Sequence, residues 1–320
     1  MRIDPTSIFT IRDLSRARRL NRILSVLPRY HTGRRMNAKI INSLVDLVQA
    51  ALPPSARQRV HLEKDEVAAS DHHTIPIRLL RPRRRPQALL LHFHGGAWVV
   101  GNARLDDQWN ARTVRLCNVM VAAGDFHRAL DDDLERAIED AVTLIDWALD
   151  HLASFGLDKL IVEGESSGAH LAAAALVRVA ERRPIKRLAA FVSLCGAFDM
   201  GGSIRLRTSE RSLLIDPQSA LLNLDRLVHG PSLLDVGSPD VSPILADLSH
   251  MPPALFVAGA LDPVKDDSTR MYERWHQQTG CAQLLMVPDA PHGFERLPTR
   301  VAAKTRAFVA RWIERILGPA

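Results

Sequence analysis

The sequence predicts an α/β protein in which a mostly parallel sheet is covered by helices on both faces. Two observations predict it. From about residue 60 onward, short runs rich in Val, Leu and Ala alternate with helix-length segments. The runs are apolar on both faces, as strands buried between two helical layers must be. The chain has 320 residues, 46% hydrophobic and 24% charged, which is enough for one large core without staples.

The first sixty residues stand apart. Leu20, Ile23, Leu24 and Leu27 repeat at helical spacing until Pro28, and Ile40, Ile41, Leu44, Val45 and Val48 do so before Pro53-Pro54. These read as two amphipathic helices, the first strongly basic on its other face. Residues 1–58 are expected to form a helical cap segment on a main domain of residues 59–320. Contact between the basic helix and a membrane surface is the alternative. Val60–Val67 and Thr74–Arg81 read as strands around a turn at Ser70-Asp71. Further strands are expected at Ala88–Phe93, Asn118–Gly124, Leu160–Glu163, Leu188–Leu194, Ala254–Gly259 and Leu284–Val287. Helices are expected near Leu134–Leu149, Ser167–Ala180, Ser268–Gln278 and Val301–Leu317. Residues 201–237 fit the alternation poorly and read as a second cap insertion.

Composition narrows the function classes. Cys117, Cys195 and Cys281 are scattered, each in an apolar stretch, and read as buried free thiols in a reducing compartment; neither a disulfide framework nor metal spacing is present. Much of the +6 net charge lies in Arg12–Arg35 and in Arg81, Arg83, Arg84 and Arg85. The second run is broken by prolines and has no interleaved aromatics, so it reads as a solvated turn and nucleic-acid binding is not expected. No run reaches the apolar length of a membrane span, and Met1–Thr10 lacks the layout of a secretory signal. A cytoplasmic location is expected.

The chemistry concentrates in four segments. Gly164-Glu165-Ser166-Ser167-Gly168 lies between an apolar strand and an alanine-rich helix, the context of a nucleophile elbow carrying Ser166. Its glycines leave room where a Cβ would clash. The Ser167 amide, at a helix N-terminus, can face a developing oxyanion. A serine hydroxyl needs a base. Most of the thirteen histidines sit in polar or loop contexts, as do His72 and His73, but His292 in Pro291-His292-Gly293-Phe294 follows the last strand. Asp262, at the carboxyl end of the strand Ala254–Gly259, completes the order Ser, Asp, His. Asp266 and Asp267 are rivals whose simpler role is to cap the helix near Ser268, and Asp199 is a further candidate. His94-Gly95-Gly96-Ala97-Trp98 follows a strand upstream, and its Gly96 and Ala97 amides would complete an oxyanion hole. His94 is expected to pin this loop, and Trp98 to lie near the pocket entrance, with plain packing as its simpler role.

With these residues in place, the chain resembles the hormone-sensitive-lipase family of bacterial esterases and lipases over about residues 74–315. The likeness rests on His94–Gly101, Gly164–Gly168, Leu261–Asp266 and Pro291–Phe294, in that order. It implies an α/β-hydrolase fold with a helical cap, catalytic Ser166, Asp262 and His292, and hydrolysis of small to medium acyl esters through an acyl-enzyme. It implies no cofactor and no metal. An amidase or deacetylase using the same groups, or a non-catalytic small-molecule-binding protein, are the alternatives. The expected partner is a small-molecule ester, and a homodimer is left open. One departure stands out: Asp125-Phe126-His127-Arg128-Ala129-Leu130-Asp131 replaces the family's D-Y-R-L-A-P-E. The support of the oxyanion loop is expected to be rearranged.

Overall fold

Strand pairing converts the alternation into one eight-stranded sheet of order β1-β2-β4-β3-β5-β6-β7-β8. The computed structural model describes residues 1–29, 31–51, 60–68, 73–210 and 212–318. The strands are β1 (His61–Ala68), β2 (Thr74–Arg81), β3 (Leu89–Phe93), β4 (Met120–Gly124), β5 (Leu160–Glu165), β6 (Leu188–Leu194), β7 (Ala254–Gly259) and β8 (Ala282–Val287). β2 runs antiparallel to β1 and β4, and the other neighbours are parallel. The fold is that of an α/β-hydrolase.

Side-chain alternation along β3 shows how the layers are divided. Leu89, Leu91 and Phe93 join a core with Leu144, Leu171 and Trp275, from α4 (Leu134–His151), α5 (Ser167–Arg182) and α8 (Lys265–Thr279). Leu90 points the other way, into a core with Val114 of α3 (Asp107–Cys117) and Ile313 of α9 (Arg300–Leu317). α1 (Ile11–Leu24) opens with a Thr10–Asp13 capping box, and Asp13 pairs with Lys304 of α9 at 2.7 Å. α2 (Arg35–Ala51), α6 (Ile204–Thr208) and α7 (Pro217–Val228) lie beyond the carboxyl ends of the strands, where Ile41, Leu206 and Leu224 share one cavity with Ser166.

Three readings need correction. α8 begins at Lys265, ahead of Ser268, so Asp266 and Asp267 sit inside its first turn and do not cap it. Asp267 is buried instead, and its Oδ2 accepts the Phe198 and Asp199 amides at 2.8 and 3.1 Å. Cys281 is exposed, whereas Cys117 and Cys195 are buried. It follows the turn that ends α8 at Gly280, and β8 begins one residue later. Helices α3, α6 and α7 were not expected from the sequence. The turn at Ser70-Asp71, His72, the stop at Pro53-Pro54 and the 58/59 boundary lie outside the described residues. No described helix is long and apolar enough to cross a membrane.

α5 leaves β5 with no room for side chains. A Cβ on Gly168 would lie 2.2 Å from the Phe93 carbonyl oxygen and 2.4 Å from that of His94; one on Gly164 would lie 2.5 Å from Ala169 Cα. Backbone cannot yield as a flexible side chain can. Gly168→Val is therefore expected to destabilise the protein by about 3 kcal/mol or more, read as a lowered urea midpoint. An unchanged midpoint would contradict this packing.

Candidate active site

Ser166 adopts φ 52° and ψ −119°, a conformation that strains any residue with a Cβ. Its amide donates to the Leu194 carbonyl at 2.8 Å, fixing the elbow to the end of β6. The side chain stands beyond the sheet's carboxyl edge, in the region where ligands bind in such folds. Its hydroxyl donates to His292 Nε2 at 2.8 Å, and His292 Nδ1–H donates to Asp262 Oδ2 at 2.8 Å. Asp262 is fully buried, and its Oδ1 accepts the Val264 amide at 2.8 Å. Burial lowers the His292 pKa, but the charge and hydrogen bond of Asp262 outweigh it. With Glu295 and Glu165 nearby, the imidazole is raised to about 9.

The loop after β3 packs directly on the elbow. A Cβ on Gly95 would meet the Glu165 carbonyl at 3.0 Å and Ser166 Cβ at 3.3 Å. Gly96 (φ 142°), Ala97 (φ 53°) and Trp98 (φ 65°) all turn through positive φ. A Cβ at residue 96 would strike the Val100 carbonyl at 1.9 Å. Among the described residues no acceptor pairs with the Gly96 or Ala97 amide. Ser167 is the first residue of α5, whose leading amides have no partner within the helix.

Side chains from four distant segments hold this loop. Asn42 of α2 donates to the Val99 carbonyl at 2.8 Å and accepts the Gly101 amide at 3.0 Å. Asn223 of α7 donates to the Ala97 carbonyl at 2.9 Å. In the Asp125–Asp131 segment, the Ala129 amide donates to the Trp98 carbonyl at 3.0 Å, and Phe126 stacks on His94 with ring centroids 4.4 Å apart. His94 Nδ1–H donates to the Gly95 carbonyl at 2.9 Å. Trp98 is a correction: it is only 7% exposed, so it forms wall and not entrance. Its Nε1–H donates to His170 Nδ1 at 3.0 Å, and His170 Nε2–H donates to the Val241 carbonyl at 2.8 Å.

A line of charges, buried except at Arg296, runs behind the site. His92 lies between Glu163 Oε1 at 3.0 Å and Asp106 Oδ2 at 2.9 Å. Arg296 joins Asp106 at 2.8 Å to both carboxylate oxygens of Glu165, at 2.7 and 2.6 Å. Glu163 also accepts Trp109 Nε1–H at 2.9 Å. Burial pulls the His92 pKa down, yet the two carboxylates raise it to about 10, so this ring is a cation. None of His92, Asp106, Glu163, Arg296, Asn42 or Asn223 was singled out from the sequence. The available signal was a charged residue interrupting each of two apolar strands, since His92 and Glu163 are register partners.

The rivals for the acid are engaged elsewhere: Asp199 pairs with Arg270 at 2.8 Å, and Asp267 binds backbone amides. Cys195, Asp262 and His292 have potential ligand atoms within 4.8 Å of one another, the one such group found among the described residues. Burial and nearby carboxylates push the Cys195 thiol well above its usual range, the reverse of what a thiolate ligand needs. Ser166, Trp98 and His292 open onto a cavity of about 530 Å³, walled mainly by apolar side chains such as Val45, Leu214, Ile215 and Leu224.

Residues 90–296 match the family model described as alpha/beta hydrolase fold. The chain is similar to an ethyl acetate hydrolase of Pseudomonas putida, with 29% identity over 238 residues covering 71% of this chain and 73% of that one. It superposes on the esterase LipW of Mycobacterium marinum with TM-score 0.84 and 21% identity, covering 96% and 98% of the two chains. It also superposes on a brefeldin A esterase, a bacterial homologue of human hormone-sensitive lipase, with TM-score 0.76 and 19% identity over 97% and 94%.

The buried charges make a pH prediction. His92 moves from its ordinary 6.5 to about 10, so the stability it contributes is complete below 6.5 and is lost as pH rises through about 10. Urea denaturation across that window should show a decline that is shallower in His92→Gln. At acidic pH the variant should be less stable by about 3 kcal/mol, because two buried carboxylates lose their shared cation. Equal slopes would mean that His92 is neutral.

Proposed function

The chain belongs to the alpha/beta hydrolase fold family, and on that premise we propose that it is a serine carboxylesterase acting through an acyl-enzyme. The reading is carried by one observation: Ser166, His292 and Asp262 form a continuous hydrogen-bonded line at 2.8 Å per link, beside two amides that have no acceptor among the described residues. Ser166 Oγ attacks the ester carbonyl while His292 Nε2 takes its proton. Asp262 holds the ring in the required tautomer and stabilises the imidazolium. The carbonyl oxygen becomes an anion that the Gly96, Ala97 and Ser167 amides receive. Each such donor contributes about 3 kcal/mol to the transition state in comparable sites. Collapse of the tetrahedral intermediate breaks the ester C–O bond, and the imidazolium proton leaves with the alcohol. Water, deprotonated by the same histidine, then releases the acid.

Substrate size follows from the cavity. A volume of about 530 Å³ with mostly apolar walls suits a small or medium acyl group more than a long chain. The similarity to an ethyl acetate hydrolase supports the same choice. α2, α6 and α7 supply much of the roof, and we assign them to a cap made of the N-terminal segment and the 201–237 insertion. The cap positions the acyl group and excludes water from the charged intermediate.

Three outcomes are expected. Ser166→Ala should abolish turnover of p-nitrophenyl acetate and butyrate while leaving the urea midpoint near that of the wild type; retained turnover would sink the assignment. A matched set of p-nitroanilides should be cleaved far more slowly than the esters. The pH profile should sit higher than an unperturbed histidine allows. Because His292 is raised to about 9, kcat/KM should fall as pH drops below that value, where the base becomes protonated. An unperturbed histidine would place that rise between about 6 and 8. A midpoint at or below histidine's ordinary 6.5 would overturn the role given to the surrounding carboxylates.

A further inference from the structure

The N-terminal segment carries features that ester cleavage does not use. Residues 1–51 hold ten Arg and Lys against three Asp, an excess of seven charges where the whole chain has six. The three carboxylates are occupied: Asp13 by Lys304, Asp4 by Thr6, and Asp46 by Asn102. On α1, Arg12, Arg16 and Arg19 recur at spacings of four and three, so they stack on one exposed face with Ile23 below them. Among the described residues none of the three has a carboxylate within salt-bridge distance. Stacked like charges destabilise a helix unless something anionic meets them.

α2 adds an apolar counterpart. Met36, Ile40, Leu44 and Leu47 share one face and are 52 to 65% exposed, while Ala38, Ile41, Asn42 and Val45 face inward. Val26 and Leu27, between the two helices, are 80% and 50% exposed. Unpaired arginines on α1, with exposed Ile23, Val26 and Leu27 following them and an exposed aliphatic stripe on α2, supply the two kinds of contact that a lipid interface offers, to acidic headgroups and to acyl chains. We propose that the N-terminal segment carrying α1 and α2 docks this protein on a membrane containing acidic phospholipid. A second copy of the chain fits less well, because a two-fold contact would bring the same arginine row against itself. A nucleic acid would use the arginines and leave the aliphatic stripe exposed. The segment between the helices, with Pro28 and Thr32, also lines the cavity, so docking would bring its mouth to the interface, within reach of membrane-dissolved esters. The docking itself does not depend on Ser166 being the nucleophile.

Co-sedimentation of the full chain with vesicles tests the proposal without relying on turnover. The protein should pellet with phosphatidylcholine vesicles containing phosphatidylglycerol, stay in solution with phosphatidylcholine alone, and be released by added salt. Arg16→Glu with Arg19→Glu should weaken partition at least about 25-fold. Ile40→Ser with Leu44→Ser should weaken it about tenfold. All four residues are exposed and lie outside the cavity, so both variants should keep the wild-type urea midpoint and turnover of a soluble ester. Absence of pelleting, pelleting that ignores lipid charge, or full binding by the arginine variant would overturn the proposal. So would a wild-type dimer on gel filtration that Ile40→Ser with Leu44→Ser converts to a monomer, because the apolar face would then belong to a second copy.

Discussion

The contact between α5 and the end of β3 is the constraint from which the site is built. Gly168 leaves no space between the helix and the Phe93 and His94 carbonyls, and Gly95 leaves almost none between the following loop and the Glu165 carbonyl. Ser166 and the loop after β3 are therefore placed by one packing event. Ser166 accepts positive φ because the helix behind it cannot retreat. Strain of this kind persists only where the surroundings over-determine it, and close packing on both sides of the elbow does so here.

A second layer of placement is electrostatic. The loop that carries His292 is joined to the elbow through Arg296, four residues further on, whose guanidinium grips Glu165 in a two-pronged pair. Arg296 also reaches Asp106, and through it His92 and Glu163 in the centre of the sheet. Taking so many charges out of water is costly, and pairing recovers that cost only when each charge is matched. The arrangement leaves Glu295 pushed up to about 8 by burial and by the neighbouring Glu165, so it is ionised over the range in which His292 titrates.

The strands, the elbow and the order of Ser166, Asp262 and His292 were legible because each leaves a local mark: an apolar run, two glycines around a serine, a polar residue just past a strand. α3 escaped because its residues Asp107–Cys117 mix buried Asp107 and Asn110 with few apolar side chains, which blurs the helical period. Asn42 and Asn223 escaped for a different reason. Their partners lie 57 and 126 residues away, and no periodicity records such a bond. Asp267 was misread because an acid at the start of a helix ordinarily caps it, whereas this one turns inward to amides beyond β6.

Those two asparagines also bear on how the protein could be altered. One comes from α2 and the other from α7, elements far apart in the chain, and both end on carbonyls of the loop that presents the Gly96 and Ala97 amides. The cavity's roof and the loop packed against Ser166 thus share their fasteners. A different roof, brought in to change the shape of the cavity, would have to supply both asparagines, or its first effect would fall on the placing of this loop. Pocket shape and the placing of the Gly96 and Ala97 amides are not separate modules in this chain, and redesign of the first has to carry Asn42 and Asn223 along.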